Sequence, residues 1–135
     1  MKKLFIFLFA LVLSAWANAN HSDVYQSKVS SQPDSVAIAP GDSTEYELIV
    51  FDPGFNSWFI SNRKPMWYHE NSYYRNKNNF YTVYWNLRVL ENMHRPPYDF
   101  EIDYDPKIDY GVELNWQLFW YYKYLEHKYN ITLGP

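Results

Sequence analysis

The apolar positions of this chain recur with different periods along its length, and each change of period marks an element. Behind Lys2 and Lys3, residues 4–16 form an apolar run that ends at the small residues Ala17-Asn18-Ala19. This is the pattern of a secretory leader with a signal-peptidase site, so residues 1–19 read as a signal peptide and the mature chain as starting at Asn20. The run is shorter than the ~20 residues that cross a bilayer as a helix, which predicts removal and no stable membrane insertion. Residues 20–34 are rich in Ser, Gln and Asn with almost no large apolar side chains. Such a composition does not repay the entropy of ordering, and a flexible leader is expected there.

From residue 35 the pattern becomes that of a folded domain running to residue 135. Residues 35–39 alternate small and apolar side chains, Pro40-Gly41-Asp42-Ser43 supplies turn chemistry, and residues 44–51 are dense in β-branched and aromatic types, which predicts a β-hairpin. In its second strand Tyr46, Leu48 and Val50 share one face, and Glu45, Glu47 and Ile49 the other. Asp52-Pro53 pairs an N-cap acid with a residue favoured at the first helical position, so residues 54–61 read as a short helix presenting Phe55, Trp58 and Phe59. Gly54 counts against that helix.

Residues 72–93 contain no Gly or Pro, and Phe80, Tyr84 and Leu87, with Val83 and Leu90, recur at helical spacing. They predict a first long helix. Arg95-Pro96-Pro97 stops it. Phe100, Ile102 and Tyr104 then alternate with Glu101, Asp103 and Asp105, the pattern of a short third strand at the sheet edge. Asp105-Pro106 repeats the capping pair, Asp109 offers a second cap, and residues 111–129 read as the final helix. Its apolar residues Val112, Trp116, Leu118, Phe119, Tyr122 and Leu125 spread over so wide an arc that the helix must lie between other elements or bury a second face in a partner. The predicted fold class is therefore α+β: one small domain, an N-terminal hairpin with a candidate third strand, two long helices and one short one.

Charge narrows the partners. The full chain carries a formal charge of −3, and loss of Lys2 and Lys3 makes the mature chain more acidic still. A basic face for phosphate is missing, so nucleic acid is a poor partner. The chain has no cysteine, which leaves packing as its source of stability and excludes thiolate nucleophiles, Cys-ligated zinc and a lipid-modified N-terminal cysteine. The expected address is the periplasm or the exterior.

Aromatic residues make up 21% of the chain, with 14 Tyr, 6 Trp and 9 Phe. Large rings fill a small core with few residues, and the excess of Tyr suggests rings at the core rim with hydroxyls in water. Arg63, Lys64, Arg75 and Lys77 are interleaved with Trp67, Tyr68, Tyr73 and Tyr74. Rings beside cations hold sugars or acidic peptides by stacking and cation–π contact, which makes Trp67, Tyr68, Tyr73, Tyr74 and Arg75 the candidate binding residues. The bland alternative is a polar loop anchored to the core by its rings.

No catalytic set is evident. The acids Asp103, Asp105 and Asp109 suggest three roles: helix caps with a solvated strand face, a cation site, or the paired carboxylates of a glycosidase. Capping is favoured, because an EF-hand starting at Asp103 would place Ile108 at its glycine and Leu114 at its bidentate glutamate. His69, His94 and His127 lie in separate segments without metal-ligand spacing, and read as surface or capping residues. Asn20-His21-Ser22 and Asn130-Ile131-Thr132 match the glycosylation pattern by chance in a chain with a bacterial-type leader.

Three segments, Asp52-Pro53-Gly54-Phe55-Asn56-Ser57-Trp58, Tyr104-Asp105-Pro106-Lys107-Ile108-Asp109-Tyr110-Gly111 and residues 113–129, resemble those of a family of small exported Gram-negative bacterial proteins classed only as a domain of unknown function. Many members resemble lipoproteins with a cysteine at the processing site, where this chain has Ala17-Asn18-Ala19-Asn20. The resemblance implies no activity or ligand. The expected function is a non-enzymatic envelope module, without cofactor or metal, that binds a protein, peptide or glycan through aromatic surface. The rival is a small carboxylate-dependent hydrolase of envelope glycan.

Overall fold

The computed structural model describes residues 35–41 and 45–134, and the expected signal peptide and flexible leader lie outside them. The hairpin forms as its alternation predicts, from β1 (Val36–Pro40) and β2 (Tyr46–Val50). They pair antiparallel with Val36 opposite Val50 and Ile38 opposite Leu48. Val36 is buried, and Ile38, Tyr46, Leu48 and Val50 pack on the core from the same face of the sheet, while Glu47 and Ile49 face outward.

Helix α1 (Pro53–Asn62) begins where Asp52 accepts a 2.9 Å hydrogen bond from the Gly54 N–H. The carboxylate is buried and also accepts a 2.8 Å hydrogen bond from Lys128 Nζ. Gly54, which counted against this helix, serves a packing purpose. A Cβ there would come within 2.6 Å of the Tyr124 hydroxyl, so the absence of a side chain lets α1 settle against the last helix. Residues 66–71, unassigned from sequence, include a 3-10 turn at Met66–Tyr68.

Helices α2 (Asn71–Glu91) and α3 (Gly111–Tyr129) are the two long helices expected. α3 is the central element, in contact with α1, α2, β2 and the 3-10 turn, and most of its side chains from Leu114 to Leu125 are buried. Its breadth of apolar surface is thus used within the domain, although Val112 is exposed.

The apolar residues whose spacing predicted α2 do not form its buried face. The stripe Phe80, Val83, Leu87 and Leu90 faces outward, and α2 instead buries Tyr74, Asn78, Tyr81, Thr82, Trp85 and Val89. Most of the inward polar atoms find partners across the helix interface, Asn78 Oδ1 being the one without a hydrogen bond among the described residues. Asn78 Nδ2 donates to the Asn115 carbonyl at 2.8 Å, and the Thr82 and Tyr122 hydroxyls lie 2.5 Å apart. Burial of the Asn78 Nδ2 and of the two hydroxyls is tolerated because they are hydrogen-bonded. Nor do the tyrosines stay at the rim: Tyr74, Tyr121 and Tyr122 are wholly enclosed.

The third strand is also absent among the described residues, where the sheet has two strands. Phe100, Ile102 and Tyr104 are buried and their neighbours exposed, so the alternation was read correctly. Its partner is α2 rather than the hairpin. Trp85 Nε1 donates to the Phe100 carbonyl at 2.8 Å, and the Asn86 amide bonds both the N–H and the carbonyl of Ile102.

Asp105 departs from its expected place as a helix cap. Its side chain accepts from the Lys107 N–H at 2.9 Å and closes a turn, whereas Asp109 accepts from Gly111 N–H at the start of α3 at 3.2 Å. After α3, Asn130 takes the left-handed conformation and the tail folds back, with Leu133 buried. No described helix is long and apolar enough to cross a membrane.

Candidate ligand-binding cleft

The aromatic surface of the domain concentrates between α1, the 3-10 turn and α3. One turn of α3 supplies Phe119, Trp120 and Lys123, α1 supplies Trp58 and Asn62, and the following segment supplies Lys64, Tyr68 and His69. Together with Tyr74 they line an open cleft of about 360 Å³, a size within the range of small-ligand sites.

The walls are fixed by the core beneath them. Trp116 Nε1 donates to the Lys64 carbonyl at 2.9 Å, which pins the chain between α1 and the 3-10 turn. Trp58 packs at 6.2 Å from Trp120, 5.5 Å from Tyr124 and 5.7 Å from the imidazole of His127. Phe119 is held edge-on to Trp120 and against Tyr74. His69 stacks on Tyr73 at 3.8 Å, so this histidine buttresses the cleft wall.

Among the described residues Trp120 Nε1 is a buried donor without a hydrogen-bond partner. Such a donor costs free energy unless something accepts from it, and it is uncommon in native structures. The cleft is lined by aromatic side chains together with Asn62, Lys64 and Lys123. Lys123 is oriented by a 2.8 Å ion pair with Glu126 and sits 5.0 Å over the Tyr81 ring. Burial works against its charge, yet hydrogen bonds to Glu126 and Tyr81 outweigh it and raise its pKa.

Lys123 also lines a second cleft of about 380 Å³, between Tyr73, Lys77 and Phe80 of α2 and the tail at Leu133. Glu126 accepts from the Leu133 N–H at 2.8 Å and so ties that tail to α3.

The residues expected to form one binding patch are distributed among several environments. Tyr68 and Tyr74 line the first cleft and Tyr73 the second. Tyr74 belongs to the core and donates to the Met66 carbonyl. Trp67 projects from the 3-10 turn, 82% exposed, and Arg75 donates to the Pro106 carbonyl at 2.9 Å. Trp58, Lys64, Trp120 and Lys123 were not among the expected site residues. Trp58 and Trp120 carried a signal, as ring-rich positions on two helices, but their convergence depends on how those helices pack.

Neither cleft is lined by Asp103, Asp105 or Asp109. Among the described residues no three His, Asp or Glu side chains converge on a point where a metal ion could be held.

A family model described as a family of unknown function, DUF6146, matches residues 3–134. No curated protein matches the chain, and no solved structure does.

Proposed function

The chain belongs to the DUF6146 family, whose function is unknown, and we propose that it is an exported, non-enzymatic envelope module that binds an acidic glycan in the cleft between α1 and α3. The export reading is supported by Lys2, Lys3, the apolar run and Ala17-Asn18-Ala19. The observation that carries the binding reading is the convergence of Trp58, Tyr68, Phe119 and Trp120 with Asn62, Lys64 and Lys123 around one cleft.

Sugar rings present a C–H face and a rim of hydroxyls. The C–H face stacks on indole and phenol rings, while hydroxyls accept from the Asn62 amide. Lys64 and Lys123 supply positive charge for a carboxylate on the sugar. An envelope polymer of amino sugars bearing carboxylates has this combination of groups.

Tryptophan fluorescence of the protein titrated with the peptidoglycan disaccharide, and in parallel with its uncharged chitobiose analogue, tests the reading. The acidic disaccharide is expected to bind more tightly. Tyr68→Ala removes an exposed ring from the cleft wall, so affinity should fall about tenfold, the worth of one stacking contact. Absence of a response to either sugar would overturn the proposal, and cleavage of the disaccharide would replace it with the hydrolase reading.

A further inference from the structure

Helix α2 has two apolar faces, and the core of the described residues uses one. Phe80, Val83, Leu87 and Leu90 are 43%, 60%, 51% and 62% exposed. At 100° per residue their stripe lies directly opposite the buried face formed by Tyr74, Asn78, Trp85 and Val89. The spacing is i, i+3, i+7, i+10, the a and d positions of a heptad, which is the narrow seam of paired helices rather than the broader face of a core helix.

We propose that the protein self-associates as a twofold dimer in which two copies of α2 pack antiparallel along this seam. An axis between Tyr84 and Trp85 places Phe80 of one copy beside Leu90 of the other and Val83 beside Leu87, so the four apolar residues cover one another. The flanking charges select this orientation. Lys77 and Glu91 occupy equivalent e positions, each seven residues from Tyr84. In an antiparallel pair e faces e, so Lys77 of each copy meets Glu91 of the other, twice across the axis. A parallel pair would instead set Asn79 against Tyr84 and Asn86 against Glu91, with no opposite charges. Both Lys77 and Glu91 are exposed; the tail reaches the stripe at its Phe80 end, where a Cβ on Gly134 would lie 3.5 Å from that ring, while Val83, Leu87 and Leu90 each stay more than half exposed. Phe80 and Tyr84 already stack at 4.8 Å on its flank.

A seam of about 15 Å is at the small, transient end of protein interfaces, so the dimer is expected to form with rising concentration rather than to be permanent. Sedimentation equilibrium of the protein from about 5 to 500 μM should show a monomer–dimer transition, the concentration range being set by an interface of that class. Leu87→Glu should abolish it, with helix content unchanged by circular dichroism because the residue faces outward. Lys77→Glu and Glu91→Lys each place like charges across the axis twice, and should each weaken self-association about fivefold or more.

An equimolar mixture of those two single variants is the deciding measurement. One protomer then carries only acids at positions 77 and 91 and the other only lysines, so the mixture should associate more tightly than either variant alone. A parent protein that stays monomeric throughout, or that dimerises unchanged by Leu87→Glu, would overturn the proposal. So would a mixture no tighter than its components, since that recovery depends on antiparallel pairing of two copies of this chain.

Discussion

The side-chain amide of Asn86 grips the backbone of Ile102 at both ends: Nδ2 donates to its carbonyl and Oδ1 accepts from its N–H, each at 2.9 Å. An amide presents a donor and an acceptor side by side, as the backbone of a neighbouring strand does. A segment with strand-like alternation can therefore be satisfied by a helix, without joining the sheet.

Asn86→Ala should therefore destabilise the domain by roughly 2 kcal/mol, because two partly buried backbone groups lose their partners at once. Urea denaturation measures the loss. Equal midpoints for the parent and the variant would show that water replaces the amide at no cost.

The two faces of α2 should respond in opposite ways to truncation. Trp85 is wholly enclosed and bonded to the Phe100 carbonyl, so Trp85→Ala should cost about 3–5 kcal/mol as a cavity opens. Leu87→Ala should change stability at low protein concentration by no more than about 0.5 kcal/mol, as expected for an outward-facing side chain. Trp116→Ala and Phe119→Ala belong with Trp85, since both rings are buried on α3. Denaturant midpoints in the reverse order would mean that α2 is turned about its axis.

Acid should act through Asp52. Burial alone would raise its pKa, but hydrogen bonds from Lys128, the Gly54 N–H and Tyr124 prevail and hold it below the ordinary 3.8. A carboxyl depressed in the folded state contributes stability that is complete above its unfolded pKa and disappears as the pH falls through the folded one. Asp52→Asn should therefore flatten the loss of stability below pH 3.8, measured as urea midpoints across the acid range. An unchanged acid limb would assign that loss to other carboxylates.

Alkali should act through the enclosed tyrosines. Burial pushes Tyr104 up to about 12 and Tyr122 above the ordinary 10.0, and Tyr74 and Tyr110 rise for the same first reason. A phenol raised in the folded state adds stability that is complete below its unfolded value of 10.0 and is lost as the pH climbs through the folded one. Phenolate absorbance should appear in two stages, exposed rings first and these four later, the second stage coinciding with loss of helix by circular dichroism. A single smooth titration with the fold intact would mean that these hydroxyls reach solvent.

The turn acids provide a separate test. Asp105→Asn and Asp109→Asn keep a side-chain oxygen for the Lys107 and Gly111 N–H groups and should cost little, whereas alanine at either position should cost roughly 0.5–2 kcal/mol. Melting curves with calcium and with chelator complete the comparison. A calcium-dependent rise in the parent that either asparagine change abolishes would make these acids cation ligands instead.

What the sequence by itself determined is what neighbouring residues decide among themselves. Strict alternation set the hairpin and the faces of β2, Asp52-Pro53 set the start of α1, and uninterrupted helical spans set α2 and α3 to within a residue or two. Even the alternation of Phe100, Ile102 and Tyr104 was legible, because which side chains point inward follows from local backbone geometry. Tertiary structure alone decided which partner each face met. α2 carries large side chains all round. The inward side won because Asn78, Thr82 and Trp85 find hydrogen-bond partners 37, 40 and 15 residues away, and no local pattern encodes those pairings. The cleft was hidden for the same reason: Trp58, Lys64, Tyr68 and Trp120 come from separate segments, and only the packing of α1 and the 3-10 turn on α3 brings their rings and charges to one place.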